Sequence, residues 1–422
     1  MKNKAFTAVL AASLSLPVLA LGTASAAGSP SDHHDGNRTF RVETVLSGGD
    51  LTHAFMSGGS MTTASLSKPD DLTRLGDELF VGFQNGVGPQ GEPAANGDTT
   101  STVVGFSPSG SVLGQWDVTG KVDGLTADPN SGALIATVNE DANSSLYVIN
   151  PQANSVIHYQ YDHNPLPHNG GTDAISIVGD LILISASAPG TPSAANPNPP
   201  GAPQPQYPAV YSVTLDPHTM VASASPLFSD EATATAANGP NKGQPVKLGL
   251  TDPDSSEVVP QWSPHFAGDF VLDSQGDQQQ IYVSDPGAPG QQLSVLSLDQ
   301  SVDDSAWITE DRGALYASDS GANTVNVITG DFRPGTAFTS ATPCSANSAP
   351  STCTTPNFLG ILNLTTGHVS PVSLRGTLAP GGLIFVPGSQ HHGDGEQESD
   401  GVAGRPPGGA PRGSGVAARE LI

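Results

Sequence analysis

The sequence predicts an all-β chain folded as a β-propeller, with six blades of four antiparallel strands each. Three observations lead there. The 422 residues hold 49 Gly and 37 Pro but only 13% charged and 5% aromatic residues, and Gly and Pro at that level are consumed by turns. One pattern then recurs: an acidic residue, a short apolar run, a turn rich in Gly and Asp, and a second apolar run. It reads "PDDLTRLGDELFVGFQNG" from Pro69, "VDGLTADPNSGALIATVNE" from Val122, "TDAISIVGDLILISASAP" from Thr172 and "DDSAWITEDRGALYASDSGANTVNVITG" from Asp303. A second pattern follows each of these, an alternating strand, a Pro or Gly turn and another alternating strand. Examples are "VVGFSPSGSVLGQW" from Val103, "LYVINPQANSVIHY" from Leu146, "VYSVTLDPHTMVASA" from Val210 and "LGILNLTTGHVSPVS" from Leu359. The runs have a period of two and no sustained helical period. Two strands from each pattern make a four-stranded blade, which must stack on neighbours to bury both of its faces.

Taken in order, residues 1–26 read as a signal peptide: a basic "MKNK", an apolar stretch and the small-residue site Ala24-Ser25-Ala26. This predicts an exported, extracellular protein. Residues 27–44 read as a flexible lead and residues 45–388 as the propeller domain. Blades are expected near 66–121, 122–169, 170–246, 247–301 and 302–376. The sixth is a composite of "APGGLIFVPG" near the C-terminus and outer strands from "TFRVETVLSGGDLTHAF", so the chain ends close the ring. Within the fifth blade, Asp319 to Asn323 read as the turn from an inner strand toward the outer hairpin. A flat pair of sandwiches and a seven-bladed ring are the competing architectures. Residues 188–208 are a Pro-rich insertion of the third blade, and residues 391–422 read as a disordered tail. In an oxidising compartment Cys344 and Cys353, close together in a polar loop, are expected to form a local disulfide.

The formal net charge is −25, with 15 basic residues scattered along the chain. That argues against nucleic-acid binding, which needs clustered Lys and Arg. No later segment has the ~18 continuous apolar residues of a spanning helix, so no membrane span is expected. There is no G-x-S-x-G elbow, phosphate loop or dinucleotide fingerprint.

Aligning the blade openings places acids at one repeated position: Asp70, Asp123, Asp173 and Asp304. Asp269 stands one place along in the fourth blade, and Gly381 occupies the position in the closing blade. Carboxylates from different blades would converge on the channel mouth, and a cation such as Ca²⁺ would relieve their repulsion. An Asp at a repeated turn also caps its own backbone and then needs no metal. Asp252, Asp254, Asp273 and Asp277 are further oxygen ligands by composition, although "DSQGDQ" lacks the closing Glu of an EF-hand loop. His163 and His168 stand in "HNPLPHNGGTDAI"; His168 precedes Asp173 and reads either as a base or ligand near the channel mouth or as an exposed loop histidine. His391 and His392 sit in the polar tail.

"LYASDSGANTVNVI" resembles the "LYVADTGNNRI" pattern of NHL-type propellers, and "VDGLTADPNSG" resembles their "P-x-G-I-A-V-D" opening. On these motifs the chain is similar to the NHL and gluconolactonase-like superfamily of six-bladed propellers over residues 45–388, and to uncharacterised secreted bacterial propeller proteins. The resemblance implies the architecture. It departs at the metal-binding Glu of the "G-E-G-P" motif of the gluconolactonases, where this chain has "KPDDL". Two functions are therefore weighed. One is a non-catalytic binding or scaffold propeller with a small-molecule, glycan or protein ligand. The other is a divalent-metal hydrolase of the lactonase or esterase type that uses the acidic ring.

Overall fold

The computed structural model describes residues 39–163, 166, 171–189, 206–343 and 355–388. Residues 1–26, which read as a signal peptide, together with Cys344, Cys353, His168, most of the Pro-rich insertion and residues 391–422, lie outside the described residues.

The chain opens with β1 (Thr39–Ser47) and the hairpin β2 (Thr52–Ser57) and β3 (Ser60–Ser65). The first four-stranded unit is β4 (Pro69–Leu75), β5 (Glu78–Phe83), β6 (Thr100–Phe106) and β7 (Val112–Thr119). The second is β8 (Val122–Asp128), β9 (Ala133–Val138), β10 (Ser145–Asn150) and β11 (Ser155–Tyr161). The third is β12 (Thr172–Val178), β13 (Leu181–Ala186), β14 (Pro208–Asp216) and β15 (Val221–Ser229). A small pair, β16 (Thr233–Ala236) and β17 (Pro245–Lys247), precedes the fourth unit. That unit is β18 (Pro253–Val258), β19 (Phe270–Ser274), β20 (Gln279–Ser284) and β21 (Gln292–Ser297). Then come β22 (Ser301–Trp307), β23 (Gly313–Asp319), β24 (Thr324–Thr329), β25 (Ala337–Thr342), β26 (Phe358–Leu362), β27 (Val369–Pro371), β28 (Ser373–Arg375) and β29 (Leu383–Pro387).

The last strands do not pair in chain order. β22 pairs directly with β25, and β26 and β27 complete that sheet. The hairpin β23–β24 leaves it and joins the closing sheet, in the order β28-β1-β24-β23-β29. Leu315 of β23 faces Phe385 of β29, and Val42 of β1 faces Ile328 of β24. Both chain ends therefore share one sheet, and the segment Gly313–Thr329 belongs to that sheet rather than to a local fifth blade. The Asp319–Asn323 turn joins β23 to β24 within it. The hairpin itself was legible. Its destination depends on β29, about 70 residues away, whose pairing no local pattern encodes.

Two further boundaries differ from expectation. β1 begins at Thr39, inside the lead that reads as flexible, because its backbone pairs with β24 on one side and β28 on the other. The segment "THAFMS" forms the separate β2–β3 hairpin rather than an outer strand of the closing sheet. That hairpin is fastened by His53, whose Nε2 lies 3.0 Å from the fully buried Asp98 carboxylate.

The inner strands β4, β8, β12, β18, β22 and β29 touch in succession, and β29 touches β4. Between each neighbouring pair of units lies one apolar cluster. Phe80 and Trp116 meet Leu134 and Ile149 between the first two units. Ile135 and Leu146 meet Ile184 and Tyr211, and Leu183 and Val210 meet Phe270 and Ile281. Tyr282 and Leu296 meet Trp307 and Leu362, and Phe338 and Leu359 meet Leu315 and Leu383. Tyr316 and Val325 return to Leu79 and Val104. This arrangement explains the sequence pattern. The second strands are buried on both faces, as in "ALIATV" of β9, while outer strands such as β7 alternate. Among the described residues no helix is long and apolar enough to cross a membrane.

Candidate functional site

The inner strands break register at one recurring place. Pairing skips from Pro69 to Leu72 in β4, from Val122 to Leu125 in β8 and from Thr172 to Ile175 in β12. It skips from Pro253 to Ser255 in β18 and from Val302 to Asp304 in β22. The residue just after the break is Asp70, Asp123, Asp173, Asp254 or Asp303. A bulge leaves a residue unpaired and re-aims its side chain. Here it turns an acid from each of five units into one cavity of about 240 Å³. The closing strand has glycine instead: Gly382 lines the same cavity, and Gly381 hydrogen-bonds through its N–H to the Ser318 carbonyl.

All four acids expected at the mouth, Asp70, Asp123, Asp173 and Asp304, line this cavity. The register nevertheless corrects the alignment at two places. In β22 the counterpart of Asp70 is Asp303, whereas Asp304 corresponds to Asp71, the second acid of "PDDL". In the fourth unit the counterpart is Asp254, not Asp269, which lies in the turn before β19 and accepts the Val259 N–H through its carbonyl. Two adjacent acids look alike in sequence, and both line the cavity; the bulge decides which of them is the counterpart of the acids in the other units. Asp71 and Asp304 also tie neighbouring inner strands together. Asp71 Oδ2 accepts the Leu125 N–H at 3.2 Å, and Asp304 Oδ2 accepts the Leu383 N–H at 2.6 Å.

The remaining lining residues were not singled out by sequence. Lys121 Nζ lies 2.6 Å from Asp123 Oδ1 and also pairs with Glu140. Gln84 Nε2 donates to Asp70 Oδ2 at 2.6 Å and to Asp123 Oδ1 at 3.2 Å. Gln275 Nε2 donates to Asp303 Oδ1 at 2.7 Å. Lys121 precedes β8, as Lys68 precedes β4, and Gln84 and Gln275 each directly follow the second strand of their unit, next to the residues that pair with Pro69 and Pro253. His163 is exposed outside the cavity lining. Asp277 caps a turn, accepting the Thr251 N–H at 2.7 Å and the Ser274 hydroxyl at 2.6 Å. Asp252 is pushed up to about 6, by burial and then by Asp277.

Eight carboxyl groups line the cavity, from Asp70, Asp71, Asp123, Glu140, Asp173, Asp254, Asp303 and Asp304, and Lys121 is the one cationic side chain among the lining residues. Burial pushes Asp70 up to about 7, against the pull of Lys121 and with the push of Asp303. Burial likewise carries Asp304 to about 8. Asp173 is held well above the ordinary carboxylate range by burial and by Asp123. Asp254 is raised well above the ordinary carboxylate range by burial and by Asp303, and Asp303 is raised by burial. Burial works against the Lys121 ammonium, but Asp123 and Glu140 outweigh it and its pKa rises. Asp123 Oδ2 is buried without a hydrogen-bond partner. Farther along the channel wall, Asp273 sits in β19 beside Ser255 and is raised to about 7 by burial. Glu257 of β18 is raised well above its usual value, chiefly by burial and then by Asp304.

The donor set is all oxygen and suits a hard cation. Among the described residues no three His, Cys, Asp or Glu side chains are spaced to hold one metal ion as they stand, so a captured ion would draw the carboxylates inward.

No family model matches the chain, and no curated protein matches it in sequence. Among solved structures it is similar to a periplasmic gluconolactonase of Pseudomonas aeruginosa, at 14% identity and a TM-score of 0.42 over 83% of this chain and 99% of that one. It is also similar to a functionally unknown protein of Desulfotomaculum acetoxidans, at 12% identity and a TM-score of 0.39 over 84% and 100%. A streptogramin B lyase aligns at 12% identity and a TM-score of 0.34 over 79% and 91%. At these values the neighbours carry no argument about chemistry. The propeller architecture rests on the strand pairing and the closed ring of inner strands.

Proposed function

We propose that the protein is an exported binding propeller that captures a cation at its acidic channel mouth. The observation that carries this reading is the convergence of five bulged acids from five units on one cavity, with a buried carboxylate oxygen of Asp123 left without a partner. Buried carboxylates repel one another and lose hydration, and a bound cation relieves both costs. Asp70, Asp123, Asp173, Asp254 and Asp303 would hold it. Ca²⁺ is the first ion to test, because it accepts six to eight oxygens in loose geometry. Export and a Cys344–Cys353 disulfide belong to the same proposal and follow from the leader-like N-terminus.

The test compares melting curves in chelator and in millimolar calcium. An ion that binds only the folded state stabilises it by RT ln(1 + [L]/Kd), about 2.7 kcal/mol at a hundredfold excess over Kd. An unchanged midpoint would refute the calcium form of the proposal.

A second reading, a metal-dependent hydrolase acting on lactones or esters, is favoured by Asp70 alone. A carboxyl held at about 7 exchanges protons readily near neutral pH, as a general acid or base must. Turnover of a lactone and ester panel by the calcium-loaded protein, lost in Asp70→Asn, would establish it. No turnover would leave the binding reading in place.

A further inference from the structure

A second and larger cavity, about 970 Å³, opens off the acidic mouth and shares Asp70 and Asp303 with it. Its walls come from the Asp319–Ala322 turn, the strand lead-in from Leu374 to Gly381, and Pro356 and Asn357. The polar groups of these walls are already occupied. Asp319 accepts the Ala322 N–H at 2.8 Å and the Ala379 N–H at 2.9 Å, and Asn357 donates to the Pro380 carbonyl at 2.9 Å. Asp319 spends its two oxygens on those N–H groups, and the lining away from it, Asp70 and Asp303 carries no charged side chain, with Leu374 and Leu378 half-buried along it. Charge is concentrated where the two cavities join. Lys121 compensates Asp123 and Glu140 on the other side of the mouth, and no cationic side chain lines the end at Asp70 and Asp303.

We infer that mouth and groove together form one site for an organic cation. Its alkylammonium head would enter among the mouth carboxylates at the Asp70 and Asp303 end, which Lys121 does not compensate, and its neutral body would lie in the groove. This rests on the cation reading above and narrows the ligand class. A metal ion alone makes no use of the groove. A ligand with an anionic end would face Asp70 and Asp303. A fully apolar ligand would leave the buried carboxylates uncompensated. An ammonium group is a compact donor of three hydrogen bonds and suits a ring of carboxylates.

Calorimetric titration of the intact protein with three probes tests this. Nα-acetyl-lysine methylamide carries both head and body. Pentylamine carries the head without the body, and Nα-acetyl-norleucine methylamide carries the body without the ammonium. The expected result is binding of the lysine probe about tenfold or more tighter than either of the others. Asp303→Asn should weaken the lysine probe by about tenfold or more. Ala322→Trp, on an exposed turn residue, should weaken the lysine probe more than pentylamine. Equal affinity for the lysine probe and pentylamine would remove the groove from the site. Equal affinity for the lysine and norleucine probes would remove the ammonium requirement. Stabilisation by calcium without binding of either amine would overturn this inference and leave the cation reading standing. Absence of both responses would overturn both.

Discussion

The two sides of the channel mouth begin from the same device and resolve it differently. On one side Asp123 and Glu140 share Lys121, so their charges are compensated inside the protein. On the other, Asp254 and Asp303 have no cationic partner, and burial holds both carboxyls above their ordinary range. The bulges are alike on both sides, so backbone geometry alone does not explain the difference. One lysine, carried on the loop before β8, does. A repeated architecture can place like charges with equal precision everywhere, and single substitutions between repeats then decide where an external cation is needed. The side without the lysine is also the side that opens into the groove.

The largest expected effect comes from breaking the compensated side. Lys121→Met keeps the length of the side chain and leaves Asp123 and Glu140 facing each other. Removing one partner of a buried pair destabilises by roughly 3–5 kcal/mol, and about 3 kcal/mol is expected here because Lys121 keeps some solvent access. The loss should shrink toward pH 5, where the stranded carboxyls take up protons. Urea unfolding at pH 8 and pH 5 measures it. Equal losses at both pH values would show that Lys121 acts by packing and not by charge.

A smaller effect of opposite sign is expected on the uncompensated side. Asp254→Asn keeps the hydrogen bond to Asp303 and removes one buried carboxyl. In chelator at pH 8 it should stabilise by about 1 kcal/mol or more, because the neutral amide removes the cost of a buried carboxyl whose pKa is raised, about 1.4 kcal/mol for each pH unit of that rise. The unmutated protein should show a matching pH dependence. Asp70 and Asp273 stand at about 7 and Asp304 at about 8 in the folded chain, against an ordinary value of 3.8. Between about pH 4 and pH 8 the folded state therefore holds more protons than the unfolded state, and stability falls as pH rises through that window. Asp254→Asn should flatten this slope, and calcium should flatten it further. A slope unchanged in both cases would place its origin outside the mouth.

These contrasts show what the sequence could and could not reveal. The strand pattern was legible because a blade buried on both faces needs continuous apolar runs, as in "ALIATV", and Gly and Pro punctuate every turn. Closure by both chain ends was legible from "APGGLIFVPG", a strand with no hairpin after it. The departure of β23–β24 to the closing sheet was not, since the same hairpin would fit either sheet. At the mouth, Asp70, Asp123 and Asp173 were found because acid and apolar run keep a fixed spacing. Asp254 was hidden in a loop-like "TDPDSS", where Asp252 and Asp254 compete. Gln84 and Gln275 each follow the second strand of their unit, but the other units have different residues there, so two matches did not stand out as a repeat. A lysine stands immediately before both the "VDGL" and the "PDDL" openings, at Lys121 and Lys68, so the sequence did not mark which of the two reaches the mouth.

The smallest effect tests the register itself. In "VDDSAW" the bulge assigns Asp303 to the mouth and gives Asp304 a second duty, holding the Leu383 N–H of the closing strand at 2.6 Å. An amide oxygen can still accept that hydrogen bond, so Asp304→Asn should cost less than about 1 kcal/mol. Asp303→Asn should change stability by a similarly small amount, because Gln275 can turn its amide to meet a new partner. The two variants should separate in their response to calcium. Asp303 is the counterpart of Asp70 and Asp123, so its loss should remove most of the calcium-induced rise in melting temperature, and the loss of Asp304 should remove less. The reverse order would mean that the inner strand is shifted by one residue from the pairing described, with Asp304 the counterpart of Asp70, as a plain alignment of the blade openings places it.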